Sequence, residues 1–68
     1  MKIPMKVPHG RKIEDKNDLV LIFNHNDEVI DFGSVGYTAY KDEPLRWNEE
    51  NGYYELVNLP GYKMVCVR

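Results

Sequence analysis

A predicted β-hairpin over residues 45–57 constrains the fold of this 68-residue chain more than any other feature. The pair Asn51-Gly52 is typical of tight hairpin turns, because these residues tolerate the positive φ angles that such turns require. Aromatic and β-branched residues flank the pair, and these residue types favour strands. The sequence therefore predicts two antiparallel strands joined by a tight turn.

The number of loop residues decides which side chains share a face of this hairpin. A loop of three would place Trp47 opposite Glu55, whereas an even loop of two or four places it opposite Leu56 or Tyr54. We expect an even loop. The apolar side then comprises Leu45, Trp47, Tyr54 and Leu56. The opposite, solvated side comprises Arg46, Asn48, Tyr53, Glu55 and Val57.

A second hairpin is predicted over residues 18–32. Residues 19–23 form the most apolar segment of the chain and are expected to be a central strand, followed by a turn at His25-Asn26. Pairing about this turn sets Ile22 opposite Val29. The expected core face comprises Leu19, Leu21, Phe23, Ile30 and Phe32. The other side is half apolar, so a second layer or a partner could cover it; it comprises Val20, Ile22, Val29 and Asp31.

Shorter signals complete the pattern along the chain. Residues 1–7 alternate as an edge strand does, and two glycines in residues 33–36 indicate a bulge or a sharp bend. Residues 37–41 are β-prone, and residues 63–68 are expected to close the chain as a strand. The dipeptide Pro60-Gly61 predicts a type II turn.

These signals favour an all-β fold in a single domain over residues 1–68. Helical apolar periodicity is absent, and turn signals recur at roughly eight- to twelve-residue spacing. Consecutive strands joined by tight turns favour a meander, and so short a chain must curl to bury its apolar face. We expect a small antiparallel barrel or sandwich, SH3-like in size, of about five to seven short strands.

Composition indicates the cellular compartment of the protein. A single cysteine, Cys66, excludes an internal disulfide and points to a reducing compartment. The N-terminus lacks the apolar core of a signal peptide, and the longest apolar run is far below the roughly 20 residues of a membrane helix. We expect a cytoplasmic, soluble protein.

Charge is distributed unevenly along the sequence. Residues 1–16 carry five basic residues and two acids, residues 17–55 carry nine acids and two basic residues, and the tail adds two basic residues. The local balances of +3, −7 and +2 give the net charge of −2. The acidic middle section is the one electrostatic feature that suggests a partner, although charged runs are more often solvated faces.

The sequence offers no catalytic or metal-binding pattern. His9, His25, Asp27 and Cys66 lack the spacing of metal ligands, and Ser34 has no histidine placed in a recognised order. The acid pairs at residues 42–43 and 49–50 lie in predicted turns, where little desolvation would raise a carboxyl pKa. We expect no enzyme activity, no metal and no cofactor.

Five tyrosines exceed what one small core needs, and tyrosine is favoured at interfaces. We therefore expect a non-catalytic protein-binding module, a small adaptor or inhibitor of the kind found among phage or bacterial accessory proteins, with an acidic recognition surface. The expected partner-binding residues are Tyr37, Tyr40, Asp42, Glu43, Glu49, Glu50 and Tyr53.

Two other functions remain open. A small β-barrel can bind single-stranded nucleic acid on aromatic side chains, with Lys2, Lys6, Arg11 and Lys12 supplying charge, although the overall acidity disfavours this. A structural homo-oligomer could instead form through the half-apolar side of the second hairpin, as a homodimer or as a subunit contact. We expect no membrane partner.

Overall fold

The computed structural model describes residues 3, 4 and 6–67, and of residues 3 and 4 it describes the backbone pairing alone. The described elements are β1 (Ile3–Pro4), β2 (Leu19–Phe23), β3 (Glu28–Ser34), a 3₁₀ turn (Val35–Tyr37), β4 (Leu45–Asn48), β5 (Tyr53–Leu56) and β6 (Lys63–Cys66). The predicted N-terminal strand over residues 1–7 lies partly outside the described residues. In the described part of the chain, no helix is long and apolar enough to cross a membrane.

All six strands belong to one antiparallel sheet with the order β1-β3-β2-β6-β5-β4. Consecutive strands pair in β2–β3 and in β4–β5–β6, and the pairing of β2 with β6 joins these two parts. Among the residues that the structure describes, the edge strands β1 and β4 are not paired with each other, so the sheet they belong to is not closed into a barrel. The all-β fold that the sequence predicts is confirmed.

The β4–β5 hairpin has the even loop predicted for it. Asn48 pairs with Tyr53 across a four-residue loop, and Trp47 lies opposite Tyr54. Gly52 has a φ of 72°, and its N–H donates to the Asn48 carbonyl at 2.8 Å. The two aromatic rings on the apolar side, Trp47 and Tyr54, have centroids 4.9 Å apart.

The register predicted for β2–β3 is wrong. Phe23 lies opposite Val29 and Ile22 opposite Asp31, so Ile30 is an extra residue at a β-bulge. The bulge changes the pairing of every residue beyond it.

Asn24 explains why the turn differs from the predicted one. Its side-chain Oδ1 accepts the N–H groups of Asn26 and Glu28 at 2.9 and 3.0 Å, and its own N–H donates to the Glu28 carbonyl. Asp27 takes the left-handed conformation with a φ of 60°. These bonds close a longer turn than the His25-Asn26 pair alone would form.

The predicted core face of the second hairpin is only partly right. Phe23 is buried, but Leu19, Leu21 and Ile30 are half-buried and Phe32 is 53% exposed. The buried apolar side chains are instead Val20, Ile22, Phe23, Val29, Leu56, Met64, Val65 and Cys66. Both faces of the central strands are covered, so these buried residues alternate across the sheet.

The half-apolar side of the second hairpin, on which the sequence places a candidate homo-oligomer contact, is largely buried within the monomer. The side chains of Val20, Ile22 and Val29, which that hypothesis placed in a subunit contact, lie in the core of the monomer. Trp47, which the sequence places in the core, lies half-buried at its rim.

The strand predicted over residues 37–41 is wrong as well. The chain leaves the sheet at the 3₁₀ turn, because the Val35 and Gly36 N–H groups donate to the carbonyls of Asp18 and Lys16. Turns follow the 3₁₀ segment up to residue 42. The bend predicted for residues 33–36 is therefore present, and the bulge lies at Ile30 in the middle of β3.

The predicted type II turn at Pro60-Gly61 is confirmed. Gly61 has a φ of 87°, and the Tyr62 N–H donates to the Leu59 carbonyl at 3.0 Å. This turn joins β5 to β6 and forms one wall of the groove described next.

Candidate recognition groove

A row of three charged side chains crosses the sheet on the face opposite the Trp47 ring. Arg46 pairs with Glu55 between β4 and β5, and Glu55 pairs with Lys63 between β5 and β6. Cross-strand partners project to the same side of a sheet, so the charges follow one another in the order positive, negative, positive. The hairpin register places the first two, and the β5–β6 register adds the third.

Glu55 is held by two neighbours. Its Oε1 accepts from Arg46 Nη2 at 2.6 Å and from Arg46 Nε at 3.1 Å, and its Oε2 accepts from Asn48 Nδ2 at 3.1 Å. The hydrogen bonds from Arg46 and then Asn48 lower the pKa of the Glu55 carboxyl. Glu55 therefore stays a carboxylate near neutral pH and is a poor proton donor.

Lys63 is held at the other end of the row. Its Nζ lies 2.6 Å from Asp27 Oδ1 and 3.0 Å from the Gly61 carbonyl oxygen. The same ammonium lies 6.0 Å from the centroid of the Tyr53 ring. These contacts tie the turn before β3 to the turn before β6.

An open groove of about 350 Å³ lies beside this row. Its charged side is Arg46, Glu55 and Lys63, and its apolar side includes Val57 and the Pro60–Tyr62 turn. Val57 is 57% exposed. The groove thus combines ion-paired groups with an exposed apolar wall.

The predicted partner-binding tyrosines lie in three different settings. Tyr37 is 68% exposed at the end of the 3₁₀ turn. Tyr40 packs against the core with its ring 6.4 Å from that of Tyr62, and burial raises the pKa of its hydroxyl. Tyr53 is half-buried beside Lys63. None of the three lines the groove.

The predicted acidic contacts lie at the two ends of β4. Asp42 and Glu43 precede the strand, and Glu49 and Glu50 follow it. Five residues, Pro44 and the four of β4, lie between the two pairs, so Glu43 and Glu49 are about 20 Å apart along an extended chain. All but Glu43, which is half-buried, are exposed.

Other acids of the middle section are paired with basic side chains elsewhere. Asp18 Oδ2 lies 3.3 Å from Arg11 Nη1, and it accepts the N–H groups of Glu14 and Asp15. Asp27 and Glu55 pair with Lys63 and Arg46, respectively. These three acids of the middle section therefore serve separate local contacts.

The residues weighed as metal ligands do not come together. Within residues 6–67, no group of three His, Cys, Asp or Glu side chains could hold an ion. Gly52 approaches the His9 ring so closely that a Cβ there would lie 2.6 Å from it, and His25 lies 6.3 Å from the Tyr62 ring. Cys66 is buried in β6.

Sequence reasoning did not find the groove. It placed Arg46, Glu55 and Val57 on one side of the hairpin, which is correct. Lys63 joins that side only through the β5–β6 register, which the Pro60-Gly61 turn could have supplied.

Comparisons with protein-family models, with curated proteins and with solved structures found no match. What the site does must therefore be argued from its own residues.

Proposed function

We propose that this chain is a non-catalytic protein-binding module, a small adaptor or inhibitor. The observation that carries the proposal is the groove in which exposed Val57 and the Pro60–Tyr62 turn face the paired charges of Arg46, Glu55 and Lys63. An apolar patch next to a polar rim is the usual composition of a recognition surface.

The arrangement of the ion pairs favours a binding function over a catalytic one. Glu55 accepts three hydrogen bonds from Arg46 and Asn48, and its lowered pKa keeps it charged. Lys63 donates to Asp27 and to the Gly61 carbonyl. Charged groups held in this way orient a partner and select against wrong ones.

Exposed apolar side chains outside the groove add to the surface that a partner could cover. Phe32 and Tyr37 expose more than half of their area. Large exposed aromatic residues are enriched at binding sites. We propose that Tyr37 and the acids at the ends of β4 contribute to recognition, which would suit a basic surface on the partner. The reducing environment expected from Cys66 favours a partner in the cytoplasm.

Site-specific photocrosslinking in the source cell tests the proposal. A benzophenone amino acid replaces Val57, whose exposed side chain can change without disturbing the core. We expect one discrete crosslinked protein. The matched control carries the same amino acid at Asn17, an exposed loop position that does not line the groove.

The crosslinking has two decisive outcomes. A partner captured at position 57 and absent at position 17 supports the protein-binding function, and it should be lost when Arg46→Glu reverses the charge at the groove. The absence of any crosslinked protein would overturn the proposal, provided that it holds both for the benzophenone at position 57 and for the same amino acid in place of the exposed Tyr37.

One observation favours single-stranded nucleic acid as a second candidate. Lys12 Nζ lies 5.8 Å from the centroid of the half-buried Trp47 ring, so a cation and an aromatic surface lie together. Fluorescence anisotropy with labelled oligonucleotides at low salt tests this candidate. Binding weakened by Lys12→Ala would support it, and flat titrations would remove it.

A further inference from the structure

The edge strand β4 presents main-chain groups outward. The Leu56 N–H donates to the Tyr62 carbonyl, which shows that the Leu56 main-chain groups point away from β4. Leu45, its partner on β4, is therefore at a non-hydrogen-bonded position. Hydrogen bonding alternates along an antiparallel pair, so Trp47 is at such a position too.

The N–H and C=O groups of Leu45 and Trp47 consequently face the open edge of the sheet. The neighbouring Pro44 carbonyl accepts from Val57 and points inward, as the alternation requires. Among the described residues, these four outward groups of Leu45 and Trp47 have no hydrogen-bond partner. An edge without bulge or proline is a template for another strand.

The charges around this edge indicate what kind of strand fits. Acidic pairs stand before and after β4, and within residues 6–67 neither Glu43 nor Glu50 makes an ion pair. Asp42 pairs with Lys41 through two exposed side chains, a contact that solvent screens. A strand laid along β4 would therefore meet carboxylates at both of its ends.

A second copy of the chain fits this edge poorly. The antiparallel register that uses all four outward groups sets Leu45 of one copy opposite Trp47 of the other. That register places residues 42–43 of one copy against residues 50–49 of the other, so acids oppose acids. Like charges directly opposite destabilise strand pairing.

We propose that the β4 edge binds an extended peptide segment of a protein partner, with basic residues at both ends of a short β-forming stretch. Its main chain pairs with Leu45 and Trp47, and its basic ends meet residues 42–43 and 49–50. The proposal rests on the protein-binding function and specifies the partner segment.

NMR titration of the ¹⁵N-labelled protein with synthetic peptides tests this proposal. The probe is a capped nonapeptide with two lysines at each end and five alternating Val and Thr residues in the middle, which matches the nine positions from residue 42 to residue 50. One control peptide has glutamates in place of the lysines, and another carries N-methyl groups on all of its central residues, which blocks strand pairing through either of its edges. We expect the lysine peptide to protect the Leu45 and Trp47 amides from hydrogen exchange, and both controls to bind at least about tenfold more weakly.

Protein variants separate specific charge pairing from net charge. Glu43→Gln with Glu50→Gln should weaken binding of the lysine peptide by about fivefold. The matched control, Glu14→Gln with Asp15→Asn, removes the same charge from an exposed loop and should leave the affinity unchanged. Equal effects of the two double variants would overturn the assignment of the acids at the ends of β4.

Two results would overturn the proposal itself. The first is that the N-methylated peptide binds as tightly as the unmethylated lysine peptide. The second is that the lysine peptide does not protect the Leu45 and Trp47 amides from hydrogen exchange. If the peptide fails while Val57 still crosslinks to a protein, the protein-binding function stands and the β4 edge is not where the partner binds. If the crosslinking also fails, both fall together.

Discussion

At the scale of single residues, Ile22 and Phe32 are two large apolar side chains of the second hairpin that differ sharply in burial. Ile22 has no exposed surface, whereas Phe32 is 53% exposed. Ile22→Ala should lower the free energy of unfolding by about 2 to 5 kcal/mol, because it leaves a cavity in a closely packed site. Phe32→Ala should cost less than about 1 kcal/mol. Urea denaturation of both variants measures the difference.

A small domain could unfold outright with alanine at this position. Ile22→Val is the milder variant, with an expected loss of about 0.5 to 1.5 kcal/mol. If Phe32→Ala proved more damaging than Ile22→Val, the burial of Ile22 and the exposure of Phe32 would be in doubt.

Asp18 makes stability depend on pH. The Glu14 N–H and then the Arg11 side chain lower the pKa of its carboxyl from the ordinary value of 3.8. A group with a lowered folded pKa contributes stability above its unfolded pKa, and this contribution is lost as the pH falls through the folded pKa. Asp18→Asn should therefore be less stable than the natural chain at neutral pH, and the difference should shrink below about pH 4.

Thermal melts from pH 7 to pH 2 test the role of Asp18. Asp42→Asn is the matched control, because Asp42 is exposed and, among residues 6–67, pairs only with the neighbouring Lys41. A difference between Asp18→Asn and the natural chain that stays constant down to pH 2 would argue against the carboxylate contacts described for Asp18.

At the scale of elements, the sequence predicts the turns that contain a glycine with positive φ, and it does not predict a turn that a single side chain determines. The four-residue loop before Tyr53 and the turn at Pro60-Gly61 follow from glycines with positive φ, so a few adjacent residues determine them. The β2–β3 register depends on the side chain of Asn24, which captures two backbone N–H groups. Period-two alternation does not reveal such a contact, and a shift of one residue exchanges the faces.

The strand predicted over residues 37–41 is absent for a reason that lies outside those residues. The N–H groups of Val35 and Gly36, just before them, donate to the carbonyls of Asp18 and Lys16 and take the chain out of the sheet. Tertiary hydrogen bonds outweighed local propensity here, as they commonly do in strands. The candidate groove was missed in part because it too depends on pairing between segments distant in sequence.

The hairpin turn provides the prediction for this scale. Gly52→Ala should destabilise the fold by about 1 to 3 kcal/mol, because an L-residue is strained at a φ of 72° and its Cβ would lie 2.6 Å from the His9 ring. Asn51→Ala, an exposed change in the same loop, should cost clearly less. Equal losses in urea denaturation would contradict the φ assigned to Gly52.

At the scale of the whole molecule, β6 lies between β2 and β5 and joins the two halves of the sheet. Cys66 in β6 is 1% exposed, and it pairs with Val20 on β2. The backbone of Cys66 also bridges to Arg11, so a reagent should reach this thiol only when β6 separates from both Val20 and Arg11. Opening at Cys66 should therefore be the same event as global unfolding.

This coupling predicts the rate of thiol alkylation under native conditions. The rate should be about 10³-fold or more below that of a cysteine in an unfolded peptide, as expected for a small domain stable by about 4 kcal/mol or more. Ile22→Val and Gly52→Ala lie in different halves of the sheet, yet each should accelerate alkylation by the factor that its own loss of stability implies. If Ile22→Val accelerated alkylation fully and Gly52→Ala did not, the two hairpins would open independently. β6 would then not unite the sheet into one cooperative unit.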